Sequence, residues 1–443
     1  MRITDEVDIP NELIESATNG SLVLFVGAGA SINKPSRLPL FDALAAFVAE
    51  LNGVELDRRV NADVFLGRLD ESHPFVREQV RDRISEPTSQ PNDIHRGIVR
   101  LASATNTFRV VTTNYDEHLT TAATELGIDV GEVFNGPAVP LGHDFSGIVH
   151  LHGAISRSPS QLVLTDGDFG RAYLTDGWAR RFVQDLFLSH TVLFVGYSHN
   201  DEVMKYLARG LPPATKRFAL TDMPDDPKWS DLRISPVEYS GENDHFELTD
   251  VLHKWADRLS MGQLDHRARV SEIVKGAPPK LPSEADYIAF AITTPAGVRA
   301  FAEGATGPNW LRWAEGQEVF RSLFSMTGSA SDESAVLAAW FASKYVANID
   351  LNKFALETLA RNGPIVRDEL MRELVWNARK LADSNPKASL KWSTVATSAL
   401  QTHTGNPEES ALILHGTSIG GTTAMPFLRR AIRPRLVLGE RNR

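Results

Sequence analysis

Asn114, Asp116 and His152 are the residues of this chain whose types and placing could do chemistry together. Asn114 and Asp116 stand in TTNYD, just past the apolar run Phe108–Val111, and His152 stands in LHG, at the end of Gly147–Leu151. A histidine near its ordinary pKa can take a proton from water or a hydroxyl, an effect of about 10²–10⁴ in rate. A third segment, LVLFVGAGAS (Leu22–Ser31), runs from an apolar strand into Gly27 and Gly29, which let backbone come close to a pyrophosphate. Each segment sets small or polar residues directly after a short apolar strand. In an open parallel sheet that is where nucleotides bind.

Simpler roles are open to the same residues. Asn114 and Asp116 also suit capping of a helix starting near Glu117, and the Ser31 hydroxyl also suits a turn. His150, two residues before His152, has no motif around it.

Strand-length apolar runs fall at Leu22–Val26, Phe108–Val111, Gly147–Leu151, Gln161–Leu164, Val192–Val195, Arg217–Leu220 and Val237–Tyr239. Amphipathic helix-length stretches lie among them at Phe41–Leu51, Asp93–Leu101, Glu117–Leu126, Trp178–Leu188 and Asp201–Leu207, with another at His245–Leu259. Such alternation predicts an α/β fold, a Rossmann-like parallel sheet covered on both faces. The excursion over residues 31–107 predicts a helical insertion above the sheet.

Lys275–Ser283 (KGAPPKLPS) reads as a linker. The expected division is a catalytic domain over 1–275, a linker over 276–283 and an all-α domain over 284–443. In that last part Val366, Leu370, Leu374, Ala378 and Leu381 keep helical spacing, and Asn362-Gly363-Pro364 stops the helix Leu351–Arg361. Trp310, Trp313, Trp340, Trp376 and Trp392 point to a packed core there. No clean repeat period is present. Gly416–Thr423 reads as a loop and the arginine-rich end as a solvated tail.

With 42% apolar and 23% charged residues, the chain has the composition of a globular protein able to bury real cores. A net charge of −10 argues against general affinity for nucleic acid or anionic membranes. No run approaches the roughly 18 apolar residues of a membrane span, and the start MRITDEVDIP shows no secretory core. A cytoplasmic protein is expected. Cysteine is absent, which excludes disulfides, thiol catalysis and thiolate zinc sites.

Taken together, GAGAS, TTNYD, LHG and the later LFVGYSHND (Leu193–Asp201) resemble the sirtuin family's motifs, in the family's order. The likeness covers about residues 10–260. It is nearest to divergent sirtuin-like domains of bacterial anti-phage defence proteins, which cleave NAD. The resemblance implies NAD, as substrate, against Gly27, Ala28, Gly29, Ser31, Phe41, Thr113, Gly196 and Ser198. It also implies catalysis by Asn114, His152 and Asp116, with Asn114 essential for glycosidic cleavage, His152 as base and Asp116 holding the nicotinamide amide. Phe41 falls where the family has a PDFR segment, but here Asp42-Ala43-Leu44 follows and the arginine is missing. The physical logic is that positive charge develops on the ribose as neutral nicotinamide leaves, and an amide oxygen and a carboxylate stabilise it.

These readings converge on an NAD glycohydrolase acting in anti-phage defence by NAD depletion. The helical domain would then sense a trigger, such as one derived from a phage, or hold a homo-oligomer or a partner protein. Protein deacylation is one alternative, disfavoured because the family's deacylases carry a four-cysteine zinc module. A non-catalytic module that binds NAD or ADP-ribose is another. No metal and no membrane partner are expected.

Overall fold

The computed structural model describes residues 1–197, 209, 211–325, 331–362, 367, 369–370, 372–374, 376–377 and 380. The chain divides into two compact units, Met1–Ser260 and Met261–Arg443.

Seven strands form the centre of the first unit: β1 (Leu22–Val26), β2 (Arg109–Thr112), β3 (Glu132–Asn135), β4 (Gly147–His150), β5 (Thr191–Val195), β6 (Arg217–Thr221) and β7 (Ser235–Glu238). They lie in the order β3-β4-β2-β1-β5-β6-β7, and every pairing is parallel. LVLFV and TVLFV are buried along their whole length, as parallel strands covered on both faces must be. Val26 pairs with Thr112 and Val195, Thr112 with His150, and His150 with Asn135, so these strand ends are level. From β1 the chain moves to one side, through β2, β3 and β4, then returns on the other side at β5. The crevice beyond such a reversal is the ligand position of a doubly wound sheet.

Because side chains alternate along a strand, the sheet serves two cores. Leu22, Leu24, Val26, Val110, Ile148, Leu193 and Val195 face one layer of helices. That layer holds α1 (Asn11–Asn19), α5 (Asp93–Ala104), α6 (His118–Leu126) and the helix ending at Ser260. Val23, Phe25, Val111, Val149, Val192 and Phe194 face the other layer, built chiefly on α7 (Trp178–Ser189). A separate cluster joins α2 (Phe41–Leu51), α3 (Ala62–Ser72) and α4 (Val76–Ile84) to Tyr115, Leu162 and Leu164. The helical insertion is thus α2–α4, while α5, within the same excursion, belongs to the layer covering the sheet.

Two strand expectations change. Gln161–Leu164 is no strand: Pro159–Gln161 makes a 3₁₀ turn, and the next residues run extended past the β4 end, with Val163 N–H donating to His152 O. Leu162 and Leu164 instead pack against the helical insertion. Conversely, β3 is a four-residue edge strand, EVFN, partly exposed and lacking a full apolar run.

The second unit is helical in its described residues, with helices Gln263–Ile273, Pro282–Ala291, Pro295–Gly304, Pro308–Glu315, Glu318–Arg321, Asp332–Phe341 and Asn352–Asn362. Proline opens three of them, where its fixed φ suits a first turn. Phe301 is ringed by Trp310, Trp313 and Trp340 at centroid distances of 5.1–5.5 Å. Trp340 Nε1 donates to Ala305 O and Trp310 Nε1 to Gly276 O, both at 2.9 Å. Trp376, by contrast, is exposed. The division between units precedes the proline-rich stretch expected as a linker. Val270 and Val274 are buried in the second unit's core, and the Trp310 bond ties Gly276 to it. Trp392, Gly416–Thr423 and the arginine-rich end lie outside the described residues.

Candidate active site

Gly27, Gly29 and Gly196 meet at the switch point. The β1 loop presses on the β5 loop: Gly27 N–H donates to Val195 O at 3.0 Å and Gly29 N–H to Gly196 O at 2.8 Å. A Cβ on Gly27 or Gly29 would come within 2.6 and 2.7 Å of Gly196 O, and one on Gly196 within 2.4 Å of Ala30 N. Gly196 also has φ +63°, which favours glycine. The glycines' small size is therefore used by two backbones in contact, whereas the sequence reading gave it to a pyrophosphate.

Past Gly27 the chain makes a 3₁₀ turn, Ala28–Ser31, which carries Ser31 into a buried polar cluster. Ser31 Oγ donates to Asp116 Oδ2 at 3.0 Å, lies 3.1 Å from His95 Nε2, and accepts from Asn114 Nδ2 at 3.3 Å. Asn114 Nδ2 also donates to Gly27 O at 3.2 Å. Since a carbonyl only accepts, this bond fixes the amide's orientation. Asn114 Oδ1 is left buried with no partner. Asp116 accepts at Oδ1 from His118 N–H at 3.1 Å. Sequence reading thus brought together three residues, Ser31, Asn114 and Asp116, that the fold joins by hydrogen bonds.

His152 joins a different set. Strand pairing of β4 ends at His150, the chain turns, and the His152 ring packs against Phe169 and Tyr173, both at right angles to it. Its Nε2 lies 2.8 Å from Tyr173 Oη. Tyr173 sits on the π-helical turn Gly170–Thr175. His152 has no hydrogen bond to Asn114 or Asp116. His150 reaches the Asn114 loop instead, with Nδ1 3.4 Å from Asn114 O, while its Nε2 is buried without a partner.

Burial sets the protonation of these rings. It pushes His95 down to about 4 and His152 to about 3, and lowers His118 and His150. All four imidazoles are neutral at neutral pH. The polar cluster therefore brings no histidine cation near Asn114, a setting that suits positive charge developing on a ligand. A groove of 420 Å³ lined by Ser89, Asp116, Glu117, His118, Thr121 and Ser156 gives access to the Asp116 side.

Of the remaining expected contacts, Thr113 N–H donates to Val26 O at 3.2 Å, and Phe41 packs against the helical insertion. Ala28 is partly exposed in its turn. Ser198 lies outside the described residues, as do His199 and Asp201. Sequence reading missed His95, which had a signal: Asn92 and His95 form a capping box at the start of α5. Tyr173 carried no comparable signal.

Fold and site define an α/β protein with a buried polar cluster at the carboxyl ends of a doubly wound parallel sheet, next to its switch point. Residues 109–230 match the SIR2-like domain family, which makes that segment sirtuin-like. SIR2-like domains bind NAD. The chain is also 27% identical over 409 residues to the uncharacterized protein y4cA of Sinorhizobium fredii. That alignment covers 84% of this chain and 33% of the relative, so the chain spans about a third of the relative's length. Among the described residues, no helix is long and apolar enough to cross a membrane.

Proposed function

We propose that the first unit binds NAD and cleaves its N-glycosidic bond with water, releasing nicotinamide and ADP-ribose. The observation that carries this reading is Asn114 Oδ1, a buried acceptor without a partner at the end of β2, one strand from the switch point. An orphan of that kind costs about 1–3 kcal/mol unless a ligand or water donates to it. A ribose hydroxyl or the attacking water supplies such a donor.

In this reading Asn114 orients water and ribose, and Asp116, fixed by Ser31 and the His118 amide, holds the nicotinamide carboxamide. His152 is assigned as the base, its neutral ring held against Tyr173 Oη, although burial, which pushes its pKa down to about 3, weakens it for that task. The neutral rings around Asn114 leave the ribose's developing charge unopposed. Gly27, Gly29 and Gly196 hold the two loops that flank the dinucleotide, with Ala28, Thr113, Phe41 and Ser198 as further contacts. Anti-phage defence by NAD depletion is the proposed setting. The second unit is assigned to sensing a trigger or to holding an oligomer or partner.

Chromatography of NAD incubated with the protein tests the reading. Nicotinamide and ADP-ribose appearing together, and failing to appear with Asn114→Ala, support it. O-acyl-ADP-ribose formed only with an acyl-lysine peptide would replace hydrolysis by deacylation, and tight NAD binding without turnover would leave a binding module.

A further inference from the structure

His95 has no part in the reading above, yet it is fully buried and sits at the centre of the polar cluster. Its ring nitrogens can be assigned from their partners. Nδ1 receives the backbone N–H of Asn92 at 3.1 Å, so Nδ1 carries no proton. The neutral ring, with its pKa held down to about 4 by burial, must then carry its proton on Nε2. That N–H points at Ser31 Oγ across 3.1 Å. Ser31 Oγ also accepts from Asn114 Nδ2. With both acceptor positions taken, the hydroxyl's single proton has one place to go, Asp116 Oδ2.

The order of donation is therefore fixed from the start of α5 to the carboxyl group: Asn92 N–H to His95, His95 N–H to Ser31, Ser31 O–H to Asp116. The starting point is itself anchored, because Asn92 Oδ1 accepts from His95 N–H and Asn92 Nδ2 donates to Ala30 O at 2.8 Å. One helix cap thus holds both the β1 loop and the ring that sets Ser31's proton.

We infer that His95 is a positioning residue for ligand binding at Asp116. Its Nε2–H forces Ser31 to donate to Asp116 Oδ2, which holds the carboxyl group in one orientation toward the bound ligand's amide. This rests on the NAD reading for the identity of the ligand, but the proton order within the protein does not.

The test has two parts on the full chain. Ring ¹⁵N shifts of His95 are measured from pH 7.5 to 5, and NAD affinity is measured by calorimetry alongside KM and kcat for nicotinamide release. Protonated Nε2 and bare Nδ1 are expected throughout that range. His95→Leu should raise Kd and KM about tenfold and change kcat less than threefold, while His95→Gln, which keeps a side-chain N–H, should recover most of the affinity. The Ser31→Ala, His95→Leu double variant should be no worse than Ser31→Ala alone. A proton on Nδ1, an unchanged Kd in His95→Leu, or additive losses in the double variant would overturn the inference. If His95→Leu does not fold, the ring shifts and His95→Gln decide. If the wild-type chain binds NAD but releases no nicotinamide, the glycohydrolase reading fails, and Kd with the ring shifts still decides the role of His95.

Discussion

His152 and Tyr173 share a hydrogen bond, Nε2 to Oη at 2.8 Å, inside the aromatic layer beneath the β4 end. The pair links a strand-end histidine to a π-helical turn, where the Tyr173 ring also stacks on Phe169. Tyr173→Phe removes the hydroxyl and keeps the ring. It is expected to lower kcat for NAD cleavage by about tenfold, and His152→Ala by about 10²–10⁴, the range of general acid–base catalysis. Steady-state kinetics checks both, and an unchanged kcat in His152→Ala would remove it from the chemistry.

Gly196→Ala is expected to separate the β1 and β5 loops. The new Cβ would meet Ala30 N at 2.4 Å and Gly29 C at 2.9 Å, both backbone atoms that cannot rotate away. The strained φ adds to the clash, for a total of about 2–4 kcal/mol. Urea denaturation measures the loss, and NAD binding should fall with it.

Stability should decline on mild acidification. The histidines His95, His118, His150 and His152 all have folded-state pKa values below the ordinary 6.5, because of burial. Above pH 6.5 neither state binds a proton at these rings. As pH falls below that value the unfolded chain binds protons and the folded one does not, so stability is lost toward pH 4. His95 and His152, with values of about 4 and 3, each contribute a slope of up to about 1.4 kcal/mol per pH unit in that window, and His118 and His150 add in the same direction. Urea midpoints at pH 7.5, 6 and 5 check the trend, and a flat profile would contradict it.

Arg77→Leu should loosen the helical insertion. From α4, Arg77 bonds Asp70 on α3 at 2.8 Å and Asp168 at 2.7 Å, and it also donates to Leu162 O. Asp168, buried, accepts from Leu164 N, Thr165 N and Thr165 Oγ1 as well. Burial opposes its charge, but these bonds and the Arg77 guanidinium hold its pKa below the usual carboxylate range. Removing Arg77 leaves the buried carboxylate with the exposed Arg171 as its remaining cation, at a cost of about 1–3 kcal/mol. Hydrogen exchange across α3 and α4 should quicken.

Much of this was legible beforehand because parallel strands write themselves plainly. Leu22–Val26 and Val192–Val195 are continuous apolar runs ending in glycine, and helix Phe41–Leu51 has the ends that were expected. β3 escaped because a half-exposed edge strand of four residues has no such signature. Gln161–Leu164 misled because its apolar residues are buried by helices and not by neighbouring strands. In the site, Asn114, Asp116 and Ser31 could be linked from their place after strands. The tertiary partners could not: His95 belongs to α5, and a capping box does not reveal which loop its histidine faces. The turn at Leu151 that sends His152 toward Tyr173 was equally hidden, since alternation along an extended strand predicts the opposite.

In the proposed reaction Asn114 Oδ1 is the acceptor for the substrate or its attacking water. The most direct measurement compares wild-type and Asn114→Ala proteins for nicotinamide release from NAD, with NAD affinity determined on the same samples. Release cut by about 10²–10³ with binding largely kept is the predicted result. Equal release from both proteins would contradict it.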